Sequence, residues 1–147
     1  MVRERGNVSR RTRDLADVIR RAGLRATPTR LAVLDLLDNA IRPVSHGEAA
    51  QQLRNKVGDH ATVFRALTDL TRVGLLRRID VGDRMWRFEA DRHDMVSHPH
   101  FVCVKCGTIS CLFDVDVTLP SRDVPRAIKN QDVQVLLRGR CDDCEVS

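Results

Sequence analysis

Two C-x-x-C pairs, Cys103-Val-Lys-Cys106 and Cys141-Asp-Asp-Cys144, constrain this chain more than any other feature. A C-x-x-C turn brings two sulfurs to one side so that both reach a tetrahedral ion, and Gly107 permits the tight turn after the first pair. Together the pairs supply four thiolates, a closed set with no ligand position left for substrate, which points to structural Zn²⁺ on Cys103, Cys106, Cys141 and Cys144. The gap between the pairs is longer than in a compact zinc ribbon, so a folded segment must be inserted there. Within it Val133, Val135 and Leu137 alternate as a strand running into the second pair. The zinc would staple that strand to the turn at Cys103. A thiol oxidoreductase would need a thioredoxin-like βαβ context around one pair, which the sequence lacks. The fifth cysteine, Cys111, makes the count odd, which favours reduced thiols or metal ligands over a disulfide framework.

Charge divides the 147 residues in two. Residues 1 to 88 hold 18 Lys/Arg against 10 Asp/Glu, and residues 89 to 147 hold 7 against 10. A basic half suited to phosphate joined to a mildly acidic, thiol-rich half is a two-part design. The expected division is a DNA-binding domain with a basic N-terminal arm over 1–88, a hinge over 89–97 and a zinc-stapled domain over 98–147. Hydrophobic residues make up 42% but aromatic ones only 3%, with no Tyr, so the core must be mostly aliphatic. No apolar run approaches the roughly 18 to 20 residues of a membrane span, and no apolar stretch follows the Arg-rich start as a signal peptide would require. A soluble cytoplasmic protein with no membrane partner is expected.

The basic half carries the periodicity of short helices. Leu15, Val18 and Ile19 predict a helix over Thr12–Ala22, stopped by Gly23. Ahead of it, Arg10, Arg11 and Arg13 belong to a run without apolar periodicity, read as a solvated tail, as an arm touching DNA, or as both. Thr27-Pro28 reads as an N-cap with Pro at the first helical position, opening a helix over Thr29–Asn39 with Leu31, Leu34 and Leu37 in one stripe. Ser45 and Glu48 form a capping-box pattern for a third helix with Ala49, Leu53 and Val57. In His60–Gly74, Val63, Ala66, Leu67, Leu70 and Val73 share a face, opposite Thr62, Arg65, Asp69 and Arg72. Taken alone this is an amphipathic helix with charges in water. It is followed, however, by two β-like runs over Leu75–Phe88 around a Gly82-Asp83 turn, with Trp86 and Phe88 on one face. Several short helices and a hairpin outline a winged helix, in which the last helix enters the major groove. Arg65 is then the foremost base or phosphate contact, with Thr62 beside it and Arg77, Arg78 and Arg84 on the wing.

A second group lies just before the first cysteine pair: Glu89, Asp91, His93, Asp94, His98 and His100. His98-Pro-His100 alternates on an extended chain, so both imidazoles point to one side with carboxylates nearby. A metal held there by ligands from both halves would fix the angle between them, as a regulatory site requires.

These residues resemble the ferric uptake regulator (Fur) family of bacterial metal-responsive repressors over about Leu24–Cys144. The carriers are T-P-T-R at Thr27–Arg30, A-T-V-F-R-A-L at Ala61–Leu67, H-P-H-F-V-C-V-K-C-G at His98–Gly107, and the terminal C-D-D-C. The resemblance implies an α+β chain: an N-terminal winged helix-turn-helix domain followed by a small αβ dimerisation domain with a four-cysteine zinc site. It implies a transcription repressor, not an enzyme, that binds an inverted-repeat DNA operator as a homodimer when metal occupies the hinge. The DNA-facing set is then Arg65, Thr62, Phe64, Thr27, Arg30, Arg10, Arg11 and Arg13. The sensory ligands are His98 and His100, completed from Glu89, Asp91, His93 or Cys111. Phe64 stands where the family usually has Tyr, and Pro43 where it often has a His ligand. Cys111 occupies the place of a frequent Asp or Glu ligand, and a soft thiolate there favours zinc over iron or manganese as the second metal. Cys111 as a buried hydrophobe, or as the thiol of a peroxide- or redox-sensing repressor on the same fold, stays open. Val117–Gln131 is short and Pro-interrupted for the usual dimerisation helix. No H-E-x-x-H motif suggests a zinc hydrolase.

Overall fold

A computed structural model describes residues 3–91, 98–119, 122–129 and 133–146, with side chains from residue 10 onward. The chain divides into two compact units, Met1–Arg92 and His93–Ser147.

The first unit has the order α1 (Arg3–Arg21), α2 (Pro28–Asp38), β1 (Val44–Ser45), α3 (His46–Leu53), α4 (His60–Arg72), β2 (Leu76–Asp80) and β3 (Trp86–Ala90). Its strands form an antiparallel sheet in the order β1-β3-β2, with Arg78 opposite Phe88 and Val44 opposite Phe88 from the other side. The helices α2, α3 and α4 each start where a side chain satisfies open N–H groups. Thr27 caps α2 by accepting from the Arg30 N–H at 3.3 Å. The Ser45/Glu48 capping box is complete at the start of α3. Asp59 caps α4 by accepting from the Thr62 N–H at 2.8 Å and its hydroxyl at 2.7 Å. One aliphatic core gathers Ile19, Val33, Leu34, Leu37, Leu53, Val63, Leu67, Leu70, Leu76 and Phe88, so α2, α3 and α4 pack against the winged sheet and α1 joins them through α2.

Four local expectations need correction. The segment before Thr12 continues the helix back to Arg3 despite Gly6, because it holds no proline and Arg11 is held against α2. Ala16 and Ile19 are the buried contacts of α1, whereas Val18 faces outward. The third helix ends at Leu53, and Val57 reaches the core from the turn that follows. Asp69 does not line an open polar face, because Arg30 covers it.

The second unit contains β4 (His100–Cys103), β5 (Ile109–Cys111), α5 (Arg126–Lys129), β6 (Leu136–Gly139) and α6 (Asp142–Glu145). Central β4 pairs antiparallel with β5 and parallel with β6. The expected terminal strand is present but starts at Leu136. Val133 and Val135 precede it, with the Val135 carbonyl accepting from the His100 N–H at 2.9 Å. Where β6 runs beside β4, a Cβ on Gly139 would come within 3.2 Å of the Phe101 ring, which would have to shift by a few tenths of an ångström. Among the described residues the segment expected to be short for a dimerisation helix forms only the four-residue α5. No helix among them is long and apolar enough to cross a membrane.

Candidate metal centres and nucleic-acid interface

The β4–β5 turn and the end of β6 build the first centre. Gly107, at φ +75°, donates its N–H to the Cys103 carbonyl and reverses the chain, so Cys103 and Cys106 face the same side. Parallel pairing sets Cys103 beside Gly139, and the Val104 N–H reaches the Gly139 carbonyl at 2.8 Å, which brings Cys141 and Cys144 to that turn. The four sulfurs lie within 4.8 Å of one another, and those of Cys106 and Cys141 are 3.7 Å apart. Zinc–sulfur bonds of about 2.3 Å at tetrahedral angles require sulfurs about 3.8 Å apart, whereas a disulfide needs about 2.05 Å. None of the five cysteines is joined in a disulfide. The donor set therefore fits one tetrahedral soft cation.

Electrostatics point the same way. Backbone N–H groups of Cys106 and Cys141 lie 3.5 and 3.4 Å from the Cys103 sulfur and hold its pKa down to about 5. Cys106 is lowered by the Thr108 hydroxyl, 3.1 Å away. Cys144 is pushed up to about 12 by the Cys141 thiol, by loss of solvent and by Cys106 and Cys103. Four crowded sulfurs cannot all ionise unaided, and a divalent cation removes that penalty.

The second group is built on β4 and β5. His100 is buried and stands opposite Cys111 in the antiparallel register. The ring of His98 lies 4.7 Å from that of His100 and 4.5 Å from that of Phe113, and its Nε2 is shielded from solvent. The ligand atoms of His98, His100 and Cys111 all lie within 4.8 Å of one another. Two imidazoles and a thiolate on one sheet suit zinc or another borderline metal. Of the expected acids, Glu89 is buried on β3 of the first unit, and Asp91 is engaged by Arg77 at 3.0 Å. His93 and Asp94 lie outside the described residues. Pro43 is fully buried in the first unit, where it supplies no ligand.

The polar face of α4 exposes Phe64 and Arg65, with Phe64 half exposed despite its apolar ring. Thr62 is partly covered and bound to Asp59. Thr27 acts in the α2 cap, and Arg30 spans α2 and α4, donating to Asp69 at 2.7 Å and to the Arg25 carbonyl at 2.8 Å. Arg11 ties α1 to α2 through Asp35 and Asp38 at 2.9 and 2.8 Å. Arg10, Arg13 and Arg84 are exposed, and Arg78 lies 3.8 Å over the Trp86 ring on the wing. Sequence reasoning missed the Asp59 cap, though Asp before a helical run is its usual signal. It also missed the internal ion pairs of Arg11 and Arg30, for which long-range pairing leaves no local signal.

Comparison with known proteins agrees with this geometry. The family model described as "Ferric uptake regulator family" matches residues 21–138. Ferric uptake regulation protein 2 of Mycolicibacterium fortuitum is 30% identical over 146 residues, covering 92% of this chain and 96% of that protein. The peroxide-responsive repressor PerR of Staphylococcus epidermidis is 28% identical, covering 86% and 85%. The crystal structure of the Vibrio cholerae ferric uptake regulator superposes with a TM-score of 0.67 at 25% identity, over 85% of this chain and 98% of that one. With its winged helix, its small αβ unit and its four-cysteine cluster, the chain belongs to the ferric uptake regulator family of metal-responsive, DNA-binding transcription regulators, which are not enzymes.

Proposed function

We propose that this protein is a metal-dependent repressor whose homodimer binds an inverted-repeat operator when a sensory divalent cation, zinc by preference, occupies a site separate from a structural zinc. The observation that carries this reading is the convergence of His98, His100 and Cys111 at the start of β4 and the end of β5, apart from the complete tetrathiolate. Cys103, Cys106, Cys141 and Cys144 would hold the structural ion. His98, His100 and Cys111 would hold the sensory one. Thiolate and imidazole donors favour zinc over manganese or iron in such a shell. Arg65 and Phe64 are the base-facing pair of α4, with Thr62 and Thr27 setting helix starts behind them and Arg10 and Arg13 meeting phosphate. Half-exposed Phe113, Val115, Val117 and Leu119 supply apolar area for a second copy. Because metal and DNA favour the same closed dimer, each raises affinity for the other by the same factor.

The test is metal analysis before and after mild chelation, paired with binding to an inverted-repeat duplex under each condition. One retained zinc per chain, with DNA binding restored by a second equivalent of one metal, is the expected result. DNA binding indifferent to every added metal overturns the sensory site. A peroxide- or thiol-sensing repressor is the second reading. It rests on Cys111, a partly exposed thiol facing His100, and on the likeness to PerR. Release of DNA by peroxide but not by chelation is its signature.

A further inference from the structure

An apolar ring half exposed on a recognition face is useful only if something holds it, and Phe64 is held from outside its own helix. His46, the first residue of α3, packs edge-on against Phe64 with ring centroids 5.2 Å apart and planes at 67°. Its Nε2 lies 2.9 Å from the carbonyl oxygen of His60, the first residue of α4. A carbonyl only accepts, so Nε2 carries the proton in this contact. The His60 ring also stands edge-on to His46, with centroids 5.9 Å apart. His46 cannot drift, because its N-terminal neighbour Ser45 is fixed by Glu48, which Arg42 also grips at 2.8 Å.

We infer that His46 is a specificity-determining positioning residue: it locks the start of the third helix to the recognition helix and fixes the Phe64 ring for contact with a thymine methyl group. This rests on the reading of α4 as the base-reading helix. Thymine alone presents a methyl group in the major groove, so a fixed aromatic ring there distinguishes it from the other bases. A ring free to rotate would cover the same methyl only part of the time and would lose entropy on contact.

Replacing thymine by deoxyuridine removes that methyl and nothing else, and burial of one such group corresponds to about fourfold in affinity. The probe is an inverted-repeat duplex selected by the full-length, metal-loaded protein from a randomised pool, resynthesised with deoxyuridine at each thymine in turn. Wild type should lose about fourfold at one thymine per half-site, and Phe64→Ala should abolish that loss. His46→Ala should reduce it to below about twofold, with unchanged melting temperature and unchanged salt dependence, since no phosphate contact is removed. His46→Gln keeps a donor for the His60 carbonyl and should restore part of the discrimination. If His46→Ala keeps the full fourfold discrimination while Arg65→Ala still weakens operator binding, the positioning role is overturned and the reading of α4 stands. If Arg65→Ala and Phe64→Ala both bind like wild type, α4 does not read the operator and both fall. If His46→Ala melts early, the discrimination ratio of His46→Gln decides, and a ratio equal to that of Phe64→Ala overturns the proposal.

Discussion

Stripping zinc from the four-cysteine centre should unfold the second unit while leaving the winged helix intact. Proline aside, the buried apolar side chains of the second unit among the described residues are Val102, Ile109 and the ligand Cys103, against seventeen from Ala16 to Phe88 in the first. Burying Val102 and Ile109 contributes about 3 to 6 kcal/mol. Fixing the backbone of the four residues of β4, three of β5 and four of β6 costs about 11 to 22 kcal/mol. A structural zinc contributes about 10 to 16 kcal/mol at neutral pH, which brings the sum close to balance. Without the ion the strands cost more than they return. Hydrogen exchange read by mass spectrometry, with zinc quantified on the same samples, tests this. After chelation, or in Cys103→Ser, amides of β4 and β6, and that of Val104 just after β4, should lose protection, while those of α2 and α4 keep it. Full protection of β4 and β6 in a sample shown to contain no zinc would refute the reasoning.

Other perturbations separate roles that look alike in the sequence. His98→Ala should keep the fold and the tetrathiolate zinc but lose metal-dependent operator binding; a gel shift that still responds to metal removes His98 from the sensor. Arg30→Ala breaks a partly buried pair, so it should lower stability by about 1 to 3 kcal/mol in urea melts. Arg65→Ala should leave stability alone and weaken operator binding; the reverse pattern would exchange their roles. Glu48 sits at about 2, below its ordinary range, chiefly because Arg42 donates to it. Its contribution is therefore complete above about pH 4.5 and lost as pH falls towards 2. Both partners are more than a third exposed, so Glu48→Gln should cost only about 1 kcal/mol at pH 7 and nothing near pH 2. A gap that persists at low pH would deny the ionic origin.

What the sequence reveals here depends on how local the physics is. Capping boxes, Pro at a first helical turn, apolar periodicity and C-x-x-C turns act within a few residues, so α2, the start of α3, α4 and both halves of the tetrathiolate were legible. Even the pairing of Cys103/Cys106 with Cys141/Cys144 followed from valence, because a tetrahedral ion demands four donors. The two-residue β1 was not legible, since Val44–Ser45 becomes a strand only through its register with Phe88 and Arg87. Nor was the helical continuation of α1 back to Arg3, because an Arg-rich run has no apolar period. The division of labour among arginines was the largest loss. Arg11, Arg30 and Arg65 look equivalent in sequence, yet acids distant in the chain engage the first two.

That division bears directly on DNA affinity. Taken as formal charge, residues 1 to 88 hold eight more Lys/Arg than Asp/Glu. Counterion release scales with phosphates neutralised, about 0.9 in the log–log salt slope for each. If the whole excess met phosphate, a dimer would show a slope of about −14. A guanidinium already gripped by a carboxylate gains little from a phosphate, because the ion pair must first be broken. Arg11, Arg30, Arg42, Arg77 and Arg87 are all so engaged. With Arg10 and Arg13 from each protomer at phosphate, the slope falls to about −4. Titration of the metal-loaded protein against the operator from 50 to 300 mM salt, on the order used for such slopes, decides between them. A slope steeper than about −8 would mean that cations beyond these four, Arg84 of the wing or the paired Arg11 and Arg30 among them, also meet phosphate.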